Sequence, residues 1–568
     1  MGKLITALLM VIIMNSMLTA SETQLIKVDL LGYQQYEEKY AIVNVKAANF
    51  TVKKEGSSRV LYGNTLTAPV RDILSGDDCL IADFTAFTEP GTYYIEIEGK
   101  HRSLKFNITS NPYKQPFVTV MRGLYLNRCG TKVSDPAGFA HGPCHLEPAI
   151  FHESTGEKGE LDATGGWHDA GDYGRYVVNS GISTATLLFM FERYKKKMED
   201  VKMSIPESGG PIPDVLAEAK WNIDWMLKMQ SSDGGVYHKV TPKRFPGWIK
   251  AENDTAPEYV FQKTSTAAAN LAAVCAVAAR VYKPYDADFA ARCLKAAEKS
   301  WQYLVKNPDI VPAGGFLNPD DSNTGQYKDS YDKDERFWAA TELFITTGKQ
   351  AYEKYVEENF ALFEPSVAKG AYWWETHVLA MLSYLYSDFN KNQNIVKKIK
   401  SDLKDSADIF AYRIKTNGYR MVLEEGDFIW GSNSVALNMA INLVAASELL
   451  RSEADDNKRK EYSQAGREVL HYIFGRNPMG MSYVTGIGEK RPMRIHHRPS
   501  EADSIEEPYP GLLAGGPNKG KQDPELKKLA ADTPPAKSFA DELESYASNE
   551  IAINWNAPLA YLMAAFIE

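Results

Sequence analysis

From Gln24 to about Thr109 the chain sets short β-rich runs against turn residues. The runs are Leu25 to Val28, Tyr40 to Val43, Phe50 to Val52, Cys79 to Ile81, Tyr93 to Ile97 and Leu104 to Ile108. Short strands at this spacing predict a small β-sandwich. After Asn111, Pro112 and Tyr113 the texture changes to long amphipathic or Ala-rich stretches: Asp214 to Met229, Ser265 to Val281, Ala290 to Val305, Asp334 to Thr347, Ala371 to Leu385 and Ser434 to Leu450. Gly-, Pro- and Asp-rich loops separate them, so the pattern predicts a helical scaffold whose loops carry the chemistry. There is no tandem repeat and no low-complexity linker, and the two parts are expected to pack directly on each other.

A length of 568 residues also suggests two domains. With 44% hydrophobic and 24% charged residues, the composition is that of a soluble globular protein. A net charge of −9 without a long basic run argues against nucleic acid as a partner. Residues 1–20 carry Lys3, an apolar run from Leu4 to Ile13 and a Leu18-Thr19-Ala20 end, the pattern of a cleavable signal peptide. That pattern implies a secreted or periplasmic protein. No later apolar run is expected to be long enough to cross a bilayer, the nearest being Ala267 to Ala279, which suits a buried helix. The five cysteines form no regular disulfide framework, and Cys79, Cys275 and Cys293 read as buried thiols.

Two acidic motifs stand far apart in the chain. Asp169 and Asp172 lie in the Gly-rich run Gly165 to Asp172, where a turn can aim both carboxylates at one opening and hold a water between them. The alternative is an Asx turn followed by a helix cap. Glu550 lies between Asn549 and the apolar Ile551-Ala552-Ile553, ahead of Trp555. Desolvation there disfavours its charged form and suits a general acid, while a Glu at a helix N-terminus is the alternative. Cleaving an acetal requires an acid for the leaving oxygen and a carboxylate to activate water, and these two motifs can supply both. Cys129, Cys144, His145 and His168 together offer the donors of a closed tetrahedral zinc site. Their spacing is not that of a zinc finger, a Cys129–Cys144 disulfide or free thiols compete, and His141 and His152 are possible substitutes.

Further motifs follow in order: Asp233 to Val240, Trp430 to Asn433, Phe474 to Pro478, Ser482 to Gly486, His496 to Pro499, Pro510 to Asn518, and the segment around Glu550. With Asp169 to Asp172 they make the chain from about Tyr113 to its end resemble glycoside hydrolase family 9, in the layout of bacterial endoglucanases with an N-terminal immunoglobulin-like domain. The resemblance implies an all-β immunoglobulin-like sandwich over residues 21–110, then an all-α (α/α)6 barrel over residues 111–568. It implies an inverting endo-β-1,4-glucanase acting on cellulose-like, mixed-linkage or decorated glucans. An exo-acting glucosidase or glucosaminidase on the same fold is the alternative, and a non-catalytic carbohydrate-binding protein a more distant one.

By motif position, Asp172 is expected as general base, Asp169 as a holder of the nucleophilic water and Glu550 as general acid. His496 and Arg498, with His238, are expected to contact substrate. Trp374, Trp430 and Tyr546 are aromatic candidates for stacking on glucose rings, the latter two inside motifs. The resemblance also implies a structural zinc on Cys129, Cys144, His145 and His168, and a calcium loop around Asp334 and Glu335 with Glu375 as remote ligand. The sandwich is expected to support the barrel rather than bind carbohydrate, and the protein to be a monomer. The loops at 159–165, 245–258 and 502–532 are where a cleft would be opened or closed.

Overall fold

A computed structural model describes residues 24–451 and 455–568. The signal-peptide expectation for residues 1–20 lies outside the described residues.

Alternation of buried and exposed positions builds the first domain. In Asn49–Lys54, Phe50 and Val52 are buried between more exposed neighbours, and in Phe106–Thr109 the buried pair is Phe106 and Ile108. One sheet runs Ile26–Lys27, Tyr40–Val43, Asp77–Asp83, Val70–Asp72. The other runs Tyr33–Gln34, Phe106–Thr109, Gly91–Ile97, Asn49–Lys54, Val60–Thr65, with His101–Arg102 paired to Gly91–Ile97. Their inner faces close on one core that includes Ile26, Val43, Val52, Tyr93 and Phe106. Two strands show no alternation of buried and exposed positions, Val60–Thr65 and Val70–Asp72. Both end their sheets, and Val60 and Val70 face solvent, so the periodicity that betrays a half-buried strand is missing.

The second domain is a double ring of helices. Val177–Arg193, Ser265–Val281, Lys333–Thr347, His377–Tyr386, Ser432–Leu450 and Ile553–Phe566 are buried along most of their length. The first four pack in succession, Ile553–Phe566 packs on both Ser432–Leu450 and Val177–Arg193, and Gln393–Thr416 packs on both His377–Tyr386 and Ser432–Leu450. Outside them lie amphipathic helices such as Asp214–Lys228, Ala287–Lys306, Gln393–Thr416 and Asp456–Ile473, each burying one face. Side chains fix where helices begin: Thr264 Oγ1 accepts from Ala267 N at 3.0 Å, and Asp286 Oδ1 from Phe289 N at 2.9 Å. This is the (α/α)6 barrel preceded by a β-sandwich.

Two expectations need correction. The stretch Ala371 to Leu385 is helical only from His377; before it, Tyr372 and Glu375 exchange backbone hydrogen bonds of 2.9 and 3.1 Å in a tight turn. That turn frees Tyr372, Trp373 and Trp374 from helical packing. Secondly, Ser432–Leu450 is long and apolar enough to cross a membrane, yet 94% of it is buried inside the barrel, so its hydropathy reflects a core position.

Buried polar contacts join the domains. Asp29 accepts from Leu31 N and Gly32 N through Oδ1, at 2.7 and 3.1 Å, and its Oδ2 meets His471 Nδ1 of the barrel at 2.7 Å. Leu30 N donates to Phe474 O at 2.8 Å, and Arg467 pairs with Glu37 at 2.9 Å. Both Asp29 and His471 are fully buried, so removing one partner strands the other without water. Asp29→Ala is expected to cost roughly 3 kcal/mol of stability, read as a lower unfolding temperature in calorimetry, with turnover at low temperature unchanged.

Candidate active site

The loop between Trp167 and Arg175 is shaped by backbone contacts before any carboxylate enters. Asp169 N donates to Gly174 O at 3.0 Å and closes the turn. Gly171 lies against the 496–498 segment, where its carbonyl accepts from Arg498 N at 3.1 Å and from Arg498 Nη1 at 2.8 Å. A Cβ on Gly171 would sit 2.1 Å from the carbonyl oxygen of His496, so only glycine allows this approach. His496 N in turn donates to Asn549 O, Gly515 N to Glu550 O, and Ile553 N to Asp169 O. Residues hundreds of positions apart thus form one continuous backbone seam.

The seam brings Asp169, Asp172 and Glu550 to one cavity of about 900 Å³. Asp169 is fully enclosed: Asn179 Nδ2 donates to Oδ1 at 2.6 Å and the Tyr327 hydroxyl donates to Oδ2. Burial, then the neighbouring Asp172 carboxylate, raises its pKa. Asp172 Oδ2 accepts from Gly174 N at 2.9 Å and from the Tyr176 hydroxyl at 3.2 Å. Among the described residues no donor reaches its Oδ1. Glu550 Oε1 accepts one long bond, 3.4 Å, from Gly171 N. Burial, with Asp172 and Asp169 adding like charge, holds the Glu550 carboxyl well above the usual range, so its protonated form persists to higher pH.

Of the other sequence candidates, His496, Arg498, Trp374, Trp430 and Tyr546 all line this cavity. The His496 Nδ1–H donates to Leu543 O at 2.7 Å, and burial lowers the imidazole pKa, which leaves Nε2 as an acceptor. Arg498 spends its guanidinium on Gly171 O and Pro246 O, so it braces the loop that carries the aspartates. Trp430 and Tyr546 pack together, ring centroids 5.6 Å apart, and Trp374 stacks on Tyr372 at 4.9 Å. His238 does not line the cavity. It is fully buried, stacked on Phe316 at 4.1 Å, with Nε2 bonded to Gln326 O at 3.0 Å and Nδ1 to Thr264 Oγ1 at 3.3 Å. A ring with both nitrogens occupied by protein has none left for a sugar. Tyr176, Asn179, Tyr327 and Trp373 belong to the site, yet none lies in a motif that chemistry alone would single out. Of the three loops, 245–258 and 502–532 contribute Phe245 and Gln522 to the lining, and 159–165 contributes nothing.

Beside the aspartate loop, Cys129, Cys144, His145 and His168 offer ligand atoms within 4.8 Å of one another, an arrangement able to hold a metal ion. Cys129 and Cys144 are free thiols with sulfurs 3.9 Å apart, so the disulfide alternative does not hold. A second acidic group surrounds Glu335. Both Glu335 carboxylate oxygens, Asp334 Oδ1 and Asp329 Oδ2 are buried without a hydrogen-bond partner. Asp334 Oδ2 accepts from Thr376 N at 2.7 Å. Glu375 is not among these partnerless carboxylates: burial raises it, and Lys369 is the charged group that acts against that.

A helical barrel whose mouth gathers two buried carboxyl groups, Asp169 and Asp172, and the partly buried Glu550 in an aromatic-lined cleft defines the class of a glycoside hydrolase. The family described as "Glycosyl hydrolase family 9" matches residues 113–563, and "Cellulase N-terminal ig-like domain" matches residues 21–102. Endoglucanase D of Acetivibrio thermocellus is 36% identical over 548 residues, covering 95% of this chain and 83% of that protein. A cellodextrinase of Butyrivibrio fibrisolvens is 36% identical over 560 residues, covering 95% of this chain and 99% of that protein. The crystal structure of a Zn-binding triple mutant of the family 9 endoglucanase J30 superposes with a TM-score of 0.88 at 33% identity, covering 94% of this chain and 99% of that one. This chain belongs to glycosyl hydrolase family 9.

The close approach at Gly171 gives a direct test. Gly171→Ala is expected to push the aspartate loop off the His496 carbonyl and lower turnover about 100-fold, the scale set by a misplacement near 1 Å, measured as initial rate on a soluble glucan with folding checked by circular dichroism.

Proposed function

We propose that this protein is an inverting endo-β-1,4-glucanase acting on cellulose-like, mixed-linkage or decorated glucans. The observation that carries the reading is the meeting of Glu550, protonated by its surroundings, with Asp172, which keeps one carboxylate oxygen free of protein donors. In this reading a water held between Asp169 and Asp172 attacks the anomeric carbon and gives its proton to Asp172 Oδ1. The glycosidic C–O bond breaks as Glu550 protonates the departing oxygen. Attack from the face opposite the leaving group inverts the anomeric centre. His496 Nε2 accepts from a sugar hydroxyl, while Trp374, Trp430 and Tyr546 offer apolar planes to the C–H faces of pyranose rings. The Lys3 and Leu4 to Ile13 pattern supports action outside the cytoplasm, and a polysaccharide is the partner.

The donor set supports zinc at Cys129, Cys144, His145 and His168. On a tetrahedron with Zn–S ~2.3 Å and Zn–N ~2.0–2.1 Å, ligand atoms lie about 3.8 Å apart for S to S and about 3.6 Å for S to N. The observed separations are 3.9 Å for the two sulfurs, 3.6 Å for Cys129 to His145 and 3.6 Å for Cys144 to His168. A zinc ion here would cross-link the 129–145 segment to His168, next to Asp169, and so stiffen the aspartate loop. The partnerless oxygens of Asp329, Asp334 and Glu335 are the donors expected for a hard cation such as calcium, which would offset their mutual repulsion.

Viscosity of a soluble β-1,4-glucan, followed together with released reducing ends, tests the endo reading. Steep viscosity loss at low bond cleavage is expected; sugar release at nearly constant viscosity would make this a chain-end enzyme. Elemental analysis is expected to give about one zinc per chain, and Cys129→Ser to lose that zinc and unfold at lower temperature.

A further inference from the structure

Lys239 is fully buried on the strand Lys239–Thr241, and among the described residues no carboxylate lies within salt-bridge distance of its ammonium. Its Nζ donates to three oxygens of one loop: Asn318 Oδ1 at 2.7 Å, Thr324 Oγ1 at 2.9 Å and Gly325 O at 2.8 Å. The residue before it, His238, holds the next carbonyl along, Gln326 O. Because a carbonyl only accepts, Nε2 carries the proton, and Nδ1 accepts from the Thr264 hydroxyl. Burial pushes His238 down to about 3, which keeps this neutral arrangement in place.

What this clamp holds is the support of both aspartates. Gly325 N donates at 3.0 Å to the Tyr176 hydroxyl, whose own proton goes to Asp172 Oδ2. A Cβ on Gly325 would lie 2.8 Å from the Tyr176 ring, so loop and ring are in close contact. Two residues on, the Tyr327 hydroxyl donates to Asp169. Tyr327 has φ of 44°, the left-handed region, a conformation a bulky residue keeps only when its surroundings enforce it. Burial without an ion partner is costly for an ammonium, and it pushes Lys239 down to about 7; the charged group acting against that is Asp172. A lysine at this cost with all its bonds on one loop has a role beyond filling space.

We propose that Lys239, with His238 beside it, is a positioning residue for the water-activating half of the reaction: it clamps residues 318–326 so that Tyr176 and Tyr327 hold Asp172 and Asp169 in register. This rests on the assignment of Glu550 as acid and Asp172 as base. It predicts that disturbing the clamp harms water attack and leaves leaving-group protonation alone.

The test compares phenyl and dinitrophenyl β-cellobiosides as substrates of the full-length enzyme. The dinitrophenolate leaves without protonation, so a defect in the acid disappears on it and a defect in water activation does not. Lys239→Met, which keeps the length and loses the donors, is expected to lower kcat about 10- to 100-fold equally on both substrates, with KM within about threefold. Thr324→Val, which removes one acceptor of the clamp, is expected to shift kcat in the same direction by a smaller factor and serves if Lys239→Met does not fold. Glu550→Gln runs alongside and is expected to lose activity on the phenyl substrate and recover on the dinitrophenyl one. Should Glu550→Gln not recover, the acid assignment falls and this inference with it. Should it recover while the clamp variants keep wild-type kcat, change KM alone, or lose activity only on the phenyl substrate, Lys239 has no positioning role toward the base.

Discussion

The structure depends on a backbone seam that joins three distant stretches of chain. Gly171 packs on the carbonyl of His496, His496 bonds to Asn549, and Ile553 bonds back to Asp169. Each link is a main-chain hydrogen bond or a contact that tolerates no Cβ, so the carboxyl groups are placed by backbone rather than by flexible side chains. Geometry held this way resists thermal drift better than geometry that rests on long side chains, and the proposed water between Asp169 and Asp172 needs that rigidity. The desolvation that raises Glu550 follows from the same seam, which sets the residue in the cleft wall beside two other acids.

Around the seam the protein adds supports of different chemistry. On one side the Cys129, Cys144, His145 and His168 cluster ends at the residue adjoining Asp169. On another the strand that carries His238 and Lys239 holds the loop of Tyr327. Beneath lie the inner helices, with Asn179 on Val177–Arg193 donating to Asp169 and Ile553–Phe566 beginning where Glu550 ends. The sandwich joins the same body through Asp29, Glu37 and Leu30, which meet the barrel at His471, Arg467 and Phe474.

Much of the architecture was legible in the residues. The change from alternating strands to Ala-rich helices after Tyr113 marks the passage from sandwich to barrel, and Ser265–Val281 is helical over the range its composition predicts. Exposed edge strands and the turn at 371–376 were not legible. The former show no alternation of buried and exposed positions, and the latter trades helical bonds for a Tyr372 to Glu375 pairing. His238 shows the opposite error: a motif histidine suggests contact with ligand, yet its nitrogens are taken up by Thr264 and Gln326.

By itself the sequence determined the order of the two folds, the local presence of acidic, aromatic and thiol-imidazole motifs, and the family, because periodicity, turn chemistry and motif order are properties of neighbours along the chain. Only the tertiary structure decided which oxygen of Asp172 is left free, why the Glu550 carboxyl is raised, and that Tyr176, Asn179 and Tyr327 bond the two aspartates. Those are matters of distance and desolvation between groups far apart in sequence, and the chain acquires them only when helices and loops from both ends close on one cavity.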